Sequence, residues 1–241
     1  MEEEMIRLED LAISFGGNNV FSGINMTIHK GEIFGIIGTN GAGKTTIFNI
    51  ICGVLKPTAG KVYYKGQDIT GLKPYQISRM GIGRSFQLVK PFMSMTPLEN
   101  VSVARSNAGK FGKGPSLSIE EIMKVTGLEE FADVETAQLG LPNKKNVEIA
   151  RALACNPEVI LFDEVSCGLS GQEIHDRMAL MKTLAGYGIT IVVIEHIMMF
   201  IKEICDNVAV LHSGSVIAEG KPDAIINDPK VIDAYLGGHS L

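Results

Sequence analysis

Long apolar runs are missing from this sequence. No stretch approaches the ~18–20 residues that a membrane-crossing helix needs. The N-terminal Met1-Glu2-Glu3-Glu4-Met5 is acidic and has none of the character of a secretory leader. The expectation is a soluble chain, which only other subunits would hold at a membrane. Cysteine is also scarce. Cys52, Cys155, Cys167 and Cys205 are far apart and form no CxxC pair. That argues against a disulfide framework or a thiolate metal site and fits a reducing cytosol. The four read as small buried apolar residues. A basic excess is absent too: the net charge is −5 and the pI about 5.6. Broad electrostatic capture of nucleic acid is therefore not expected. There is no internal repeat. What remains is 241 residues, 45% hydrophobic and 20% charged, enough for one large or two small globular domains.

The most informative stretch present is Gly38-Thr39-Asn40-Gly41-Ala42-Gly43-Lys44-Thr45. It fits the phosphate-loop pattern G-x-x-x-x-G-K-[ST]. The apolar run Ile33–Ile37 before it reads as a buried strand, and Thr45–Ile51 after it as the start of a helix that includes Thr46. Glycines let successive N–H groups turn inward on a polyphosphate, and the new helix adds its positive end. Lys44 would reach the β and γ phosphates, and the Thr45 hydroxyl would bind Mg²⁺. A chain so built binds a nucleoside triphosphate.

The remaining pattern alternates strands and helices. Met5–Ile13 and Val20–Ile28 read as half-buried strands about a turn at 15–19. Lys61–Lys65 reads as a strand, Gly66–Asp68 as a turn, Pro74–Met80 as a short helix and Ile82–Gln87 as a strand. From Leu88 to about Asn156 the pattern is mostly helical, with a Gly-, Ser- and Lys-rich loop at Ser106–Ser118 and helices at Ile119–Thr126 and Asn143–Ala154. Strands then follow at Glu158–Phe162 and Thr190–Ile194, helices at Gln172–Gly186 and Ile197–Cys205, and a hairpin about His212–Gly214. A helix at Val231–Leu236 ends the chain. Met198-Met199-Phe200 reads as core packing. This is an α/β core with a mainly parallel sheet, interrupted by a helical subdomain at 89–156 between core segments 1–88 and 157–241.

A phosphate-loop enzyme needs a carboxylate near Mg²⁺, usually at the end of a neighbouring strand. Val159–Phe162 runs into Asp163 and Glu164. Asp163 is placed to hold Mg²⁺ through water, and Glu164 to polarise an attacking water as general base. Gln87 and His196 each end a predicted strand. Taken singly they are ordinary strand-end residues; their order along the chain gives them weight.

In that order the motifs resemble those of the ATP-binding subunit of an ABC transporter, over essentially the whole chain. The resemblance implies a RecA-like P-loop core with an N-terminal antiparallel β subdomain and an inserted helical subdomain. It implies that Phe15 stacks on adenine with Val20 as a weaker flanking contact, and that Gln87 senses Mg²⁺ and the permease. Asp163 and Glu164 match the Mg²⁺ aspartate and catalytic glutamate, and His196 the residue that touches the γ-phosphate. The implied cofactors are ATP and Mg²⁺. The implied partners are transmembrane permease subunits, a second ATPase subunit and, indirectly, a substrate-binding protein, with no nucleic acid. The implied location is the cytoplasmic face of the cell membrane. Gly81–Gln87, Met95–Val101 and the tail from Gly214 look like the branched-chain amino acid importer group. The ATPases of lipopolysaccharide export share several of these features and are the alternative. A soluble ABC-type ATPase working on DNA or ribosomes is a further alternative, against which charge and domain count argue. The surface about Pro91–Met95 is read equally as a permease-docking patch or as subdomain packing.

The departures matter as well. The family signature is close to L-S-G-G-Q, but the slot before Glu148–Leu153 reads Leu139-Gly140-Leu141-Pro142-Asn143. The serine hydroxyl is lost at Gly140, and Pro142 lacks an N–H. Ser170 and Ile197 stand where aspartate is common, and Val165 where proline is. The resemblance then implies an unequal pair of ATP sites, with a related but different partner ATPase; a homodimer is the other arrangement.

Overall fold

The computed structural model describes residues 3–85, 90–108 and 111–236. The chain divides into two units, Met1–Pro74 with Val192–Leu241, and Tyr75–Ile191.

In the first unit the two N-terminal alternating segments form β1 (Glu4–Phe15) and β2 (Asn18–His29), an antiparallel hairpin closed by Gly16-Gly17. Ile6 and Leu8 are buried on β1, and then Leu11 and Ile13, so the alternation skips a step. Asp10 explains the slip: it sits at φ 46, where the β1–β2 register shifts. A bulge re-phases the strand so that apolar side chains keep facing the core. Asn25 holds it, accepting the Asp10 N–H and donating to Asp10 Oδ1, both at 2.9 Å. β4 (Ala59–Tyr64) pairs antiparallel with β1, and the short β5 (Gln67–Asp68) with β4, where only a turn was expected.

The same unit holds β3 (Ile33–Gly38), whose six residues are all buried, as suits a strand covered on both faces. It runs parallel to β9 (Asn207–His212), which pairs antiparallel with β10 (Ser215–Gly220) in the expected hairpin. The helices α1 (Lys44–Ile51), α7 (Met198–Ile204), α8 (Pro222–Ile226) and α9 (Pro229–Leu236) complete this unit. The sequence reading missed α8, whose five residues are too few to show a period. Phe200 is fully buried, but Met199 is 48% exposed, so the core reading of that triplet fails at Met199.

The second unit begins within α2 (Pro74–Met80). β6 (Ile82–Arg84) runs parallel to β7 (Val159–Asp163), whose five residues are all buried. β8 (Thr190–Ile194) crosses the division of the chain. The helices are α3 (Pro97–Ala108), α4 (Ile119–Val125), α5 (Leu141–Ala154) and α6 (Gly171–Gly186), with α3, α4 and α5 packed together. α3 continues through Ala108, past the point where a loop was expected at Ser106. Asn100, fully buried on α3, accepts the Phe92 N–H at 2.9 Å and donates to the carbonyls of Phe92 and Thr96 at 3.0 Å each. A buried amide so fully satisfied pins the segment before α3. No helix among the described residues is long and apolar enough to cross a membrane. All four cysteines are free; Cys52 and Cys205 are buried, but Cys167 is exposed, contrary to the expectation for it.

Candidate functional site

The phosphate loop joins β3 to α1 as its sequence implies. Gly41 and Gly43 take φ 77 and 97, in the left-handed region that glycine tolerates best. Gly43 is also pressed closely: a Cβ there would lie 2.7 Å from the Phe21 ring and 3.3 Å from Val20 Cγ1. Val20, expected near the nucleotide, thus lies against the loop. Lys44 is buried, and its ammonium donates to the carbonyls of Gly38 at 2.7 Å and Thr39 at 2.9 Å. The lysine therefore holds the loop in shape from inside, with its charge already in the hollow that a phosphate would enter. Gly43 O accepts the Ile47 N–H at 3.0 Å and starts α1, with Thr45 and Thr46 half-buried in its first turn. Asn40 and Gly41 face solvent or its edge, while Ala42 is buried. Phe15 ends β1 and is 49% exposed, so its ring would be open to a stacking base. His196 follows β8 in an exposed position, before α7 begins at Met198.

In the second unit Asp163 ends β7 with its side chain wholly buried, and Arg84 Nη2 donates to its Oδ2 at 3.0 Å. Glu164 is half-buried at φ 51. A glutamate in left-handed backbone costs on the order of 1–3 kcal/mol, a strain that concentrates at functional positions. A small cavity beside these two acids is lined by Ser85, Lys145, Glu148, Ile149 and Val165. Ser85 Oγ is buried and has no hydrogen-bond partner among the described residues, so the cavity carries an unmatched polar atom. Lys145 donates to the carbonyls of Val165 at 3.1 Å and Cys167 at 2.5 Å, tying α5 to the segment after Glu164. Sequence reasoning missed this lysine, and no local pattern signals it. Burial pushes the Glu148 carboxyl above the usual carboxylate range, against the opposing Lys90 N–H bond and the Arg151 and Lys145 charges. Gln87 lies outside the described residues.

These groups suit Mg²⁺. The ion favours hard oxygen donors and usually takes only one or two carboxylates, with waters and phosphates filling its shell. Asp163 is one such buried donor, with a polar cavity at its side for water. Among the described residues no three His, Cys, Asp or Glu side chains cluster as a metal cage, so phosphate would have to complete the shell.

The signature slot differs from expectation in one respect. α5 starts at Leu141, not Asn143, so Leu141 and Pro142 belong to its first turn. Gly140 is the N-cap and makes no side-chain hydrogen bond there. Pro in a first turn sacrifices no helical hydrogen bond. Ser170 is the N-cap of α6, and Glu173 accepts its N–H at 2.6 Å.

A family model described as "ABC transporter" matches residues 21–166. The chain belongs to the ABC transporter family. A second model, "Branched-chain amino acid ATP-binding cassette transporter", matches the ABC chain at residues 215–240. Among its relatives is the high-affinity branched-chain amino acid transport ATP-binding protein BraF of Pseudomonas aeruginosa, 34% identical over 98% of this chain and 99% of that one. The LivG protein of Escherichia coli K12, described in the same words, is 35% identical over the same shares. The structure of MJ1267, an ABC transporter cassette in its ADP conformation, superposes with a TM-score of 0.87 at 32% identity, covering 97% of this chain and 99% of that one. The dimeric structure of the bacterial cassette MJ0796 superposes at 0.78 with 30% identity, over 90% and 99%. The α/β ABC cassette fold read from the motifs is therefore the fold of this chain.

Proposed function

We propose that this ABC cassette is the ATP-hydrolysing subunit of a branched-chain amino acid importer. The observation that carries the reading is the match to that group over nearly the whole chain, reinforced at residues 215–240 where the tail follows the group's own model. The chain would sit at the cytoplasmic face of the membrane, held by permease subunits and paired with a second cassette. The exposed Phe92 and Met93, at 43% and 40%, support a permease contact at that surface.

The roles follow from the chemistry. Phe15 stacks on adenine beside Val20. The N–H groups from Gly38 to Thr46 surround the phosphates, and Lys44 offsets their charge. When bound, Mg²⁺ neutralises phosphate charge, and Thr45, Asp163 and Gln87 would hold it. Glu164 takes the proton from the attacking water, and His196 fixes the γ-phosphate. Preorganised charge of this kind is the main lever in phosphoryl transfer. Gly140 brings no hydroxyl to the partner's nucleotide, so pairing with a different cassette makes the two ATP sites unequal, whereas a pair of identical chains would have two equal sites.

The test is reconstitution with permeases, partner cassette and binding protein in vesicles. ATP hydrolysis should rise when leucine, isoleucine or valine is supplied with the binding protein. A rate indifferent to these amino acids, or one raised instead by lipopolysaccharide, would refute the import reading. His196→Ala should lower turnover with little effect on ATP binding; unchanged turnover removes His196 from the mechanism.

A further inference from the structure

The carboxylate assigned above to Mg²⁺ already has a cation. Arg84 donates from Nη2 to Asp163 Oδ2 at 3.0 Å, and the two side chains are 9% and 0% exposed. The strand pairing accounts for this contact. β6 runs parallel to β7 with Arg84 opposite Leu161, and the Ser85 N–H continues the ladder to Leu161 O at 3.0 Å. The guanidinium is thereby held at the end of the sheet where β7 delivers Asp163. Arg84 also lies on the stretch that leads directly to Gln87.

A buried carboxylate with no cation nearby is strongly unfavourable, and removing one partner of a buried pair is correspondingly costly. An ATPase that releases its metal with its nucleotide meets that problem once in every cycle. A fixed guanidinium solves it, and a carboxylate has enough lone pairs to keep that bond and still accept another. The same positive charge opposes a bare divalent cation, since like charges a few ångströms apart repel strongly in a poorly screened site. Phosphates, which bring negative charge, relieve that repulsion.

We propose that Arg84 is a resident counter-ion for Asp163. It holds the carboxylate in place between nucleotides and makes the site admit Mg²⁺ with nucleotide while rejecting the free ion. Arg84 is thus a positioning residue that acts through Asp163, and the inference rests on the Mg²⁺ role proposed for that residue.

The test uses the full chain without nucleotide, melted in EDTA and in millimolar MgCl₂, with Mn²⁺ binding followed by electron paramagnetic resonance. Wild type should melt alike in both. Arg84→Gln should melt about 5–15 °C lower in EDTA and regain much of that in MgCl₂. Its Mn²⁺ affinity should rise about tenfold or more. Arg84→Lys keeps the charge without the planar fork, so it should respond in the same sense but less, and it serves if Arg84→Gln cannot be recovered. Adding Asp163→Asn should abolish the metal response. An Arg84→Gln or Arg84→Lys response no larger than that of wild type overturns the proposal. If Asp163→Asn still weakens nucleotide binding in the presence of Mg²⁺, that failure leaves the Mg²⁺ assignment standing. If Asp163→Asn changes neither the metal response nor Mg²⁺-dependent nucleotide binding, the assignment itself falls, and the proposal with it.

Discussion

Gly43→Ala and Gly41→Ala change neighbouring glycines of one loop, and the structure predicts different outcomes. Both residues have positive φ, 97 and 77, so an alanine at either carries the left-handed strain of about 1–2 kcal/mol. Beyond that they part. A Cβ at Gly41 meets nothing within 4 Å, whereas one at Gly43 falls 2.7 Å from Cδ1 of the buried Phe21 ring. Forcing an extra carbon into a packed site costs typically about 1–3 kcal/mol more. The expected losses are therefore about 1–2 kcal/mol for Gly41→Ala and about 2–5 kcal/mol for Gly43→Ala. For a chain of this size each kcal/mol lowers the melting temperature by about 2–4 °C. Thermal unfolding without nucleotide, followed by circular dichroism, measures both. Trimming the ring with Phe21→Val should soften the second loss, giving a coupling of about 0.5–3 kcal/mol in a double-mutant cycle. Equal destabilisation by the two alanines, or additivity with Phe21→Val, would refute the packing argument and leave backbone strain as the sole reason for glycine at 43.

Glu164→Gln should leave ATP binding intact and slow hydrolysis about 10²–10⁴-fold, the usual worth of a positioned general base; a normal steady-state rate rules out that role. Glu148→Gln keeps an acceptor for the Lys90 N–H, bonded at 2.6 Å, and removes a carboxyl whose value burial has raised. Wild-type stability should fall as pH climbs from the unfolded value of about 4.3 through the raised folded one, so the advantage of the glutamine variant should appear across that window and vanish below it. Urea unfolding over that range that gave a constant difference would contradict this. Among the four thiols of the isolated chain, exposed Cys167 should react first with iodoacetamide, while Cys205, whose thiol burial pushes well up, should react last. Cys167→Ser should remove the fast fraction, and retention of that fraction would show the order to be wrong.

Much of the candidate site is local and therefore legible. The phosphate loop is eight consecutive residues between an apolar strand and a helix, and the backbone angles it needs are signalled by its glycines. Asp163-Glu164 is likewise announced by the apolar run of β7. The five-residue α8 and two-residue β5 were too short for periodicity to register. The bulge at Asp10 shows as a broken alternation, but its re-phasing depends on Asn25 across the hairpin. Exposure failed at Cys167 and Met199 because side-chain type states only a preference for burial, and the neighbours decide.

The longer strands and helices, the phosphate-loop motif, the paired acids and the unusual Leu139–Asn143 slot could be read from the sequence alone, because each is written in adjacent residues or a short period. Which groups face them is set by the folded chain. It set Arg84 on Asp163 across 79 positions of chain, Lys145 on the carbonyls of Val165 and Cys167, and Phe21 against Gly43. These are contacts between distant segments, and a carboxylate or a glycine carries no local mark of the partner that folding brings to it.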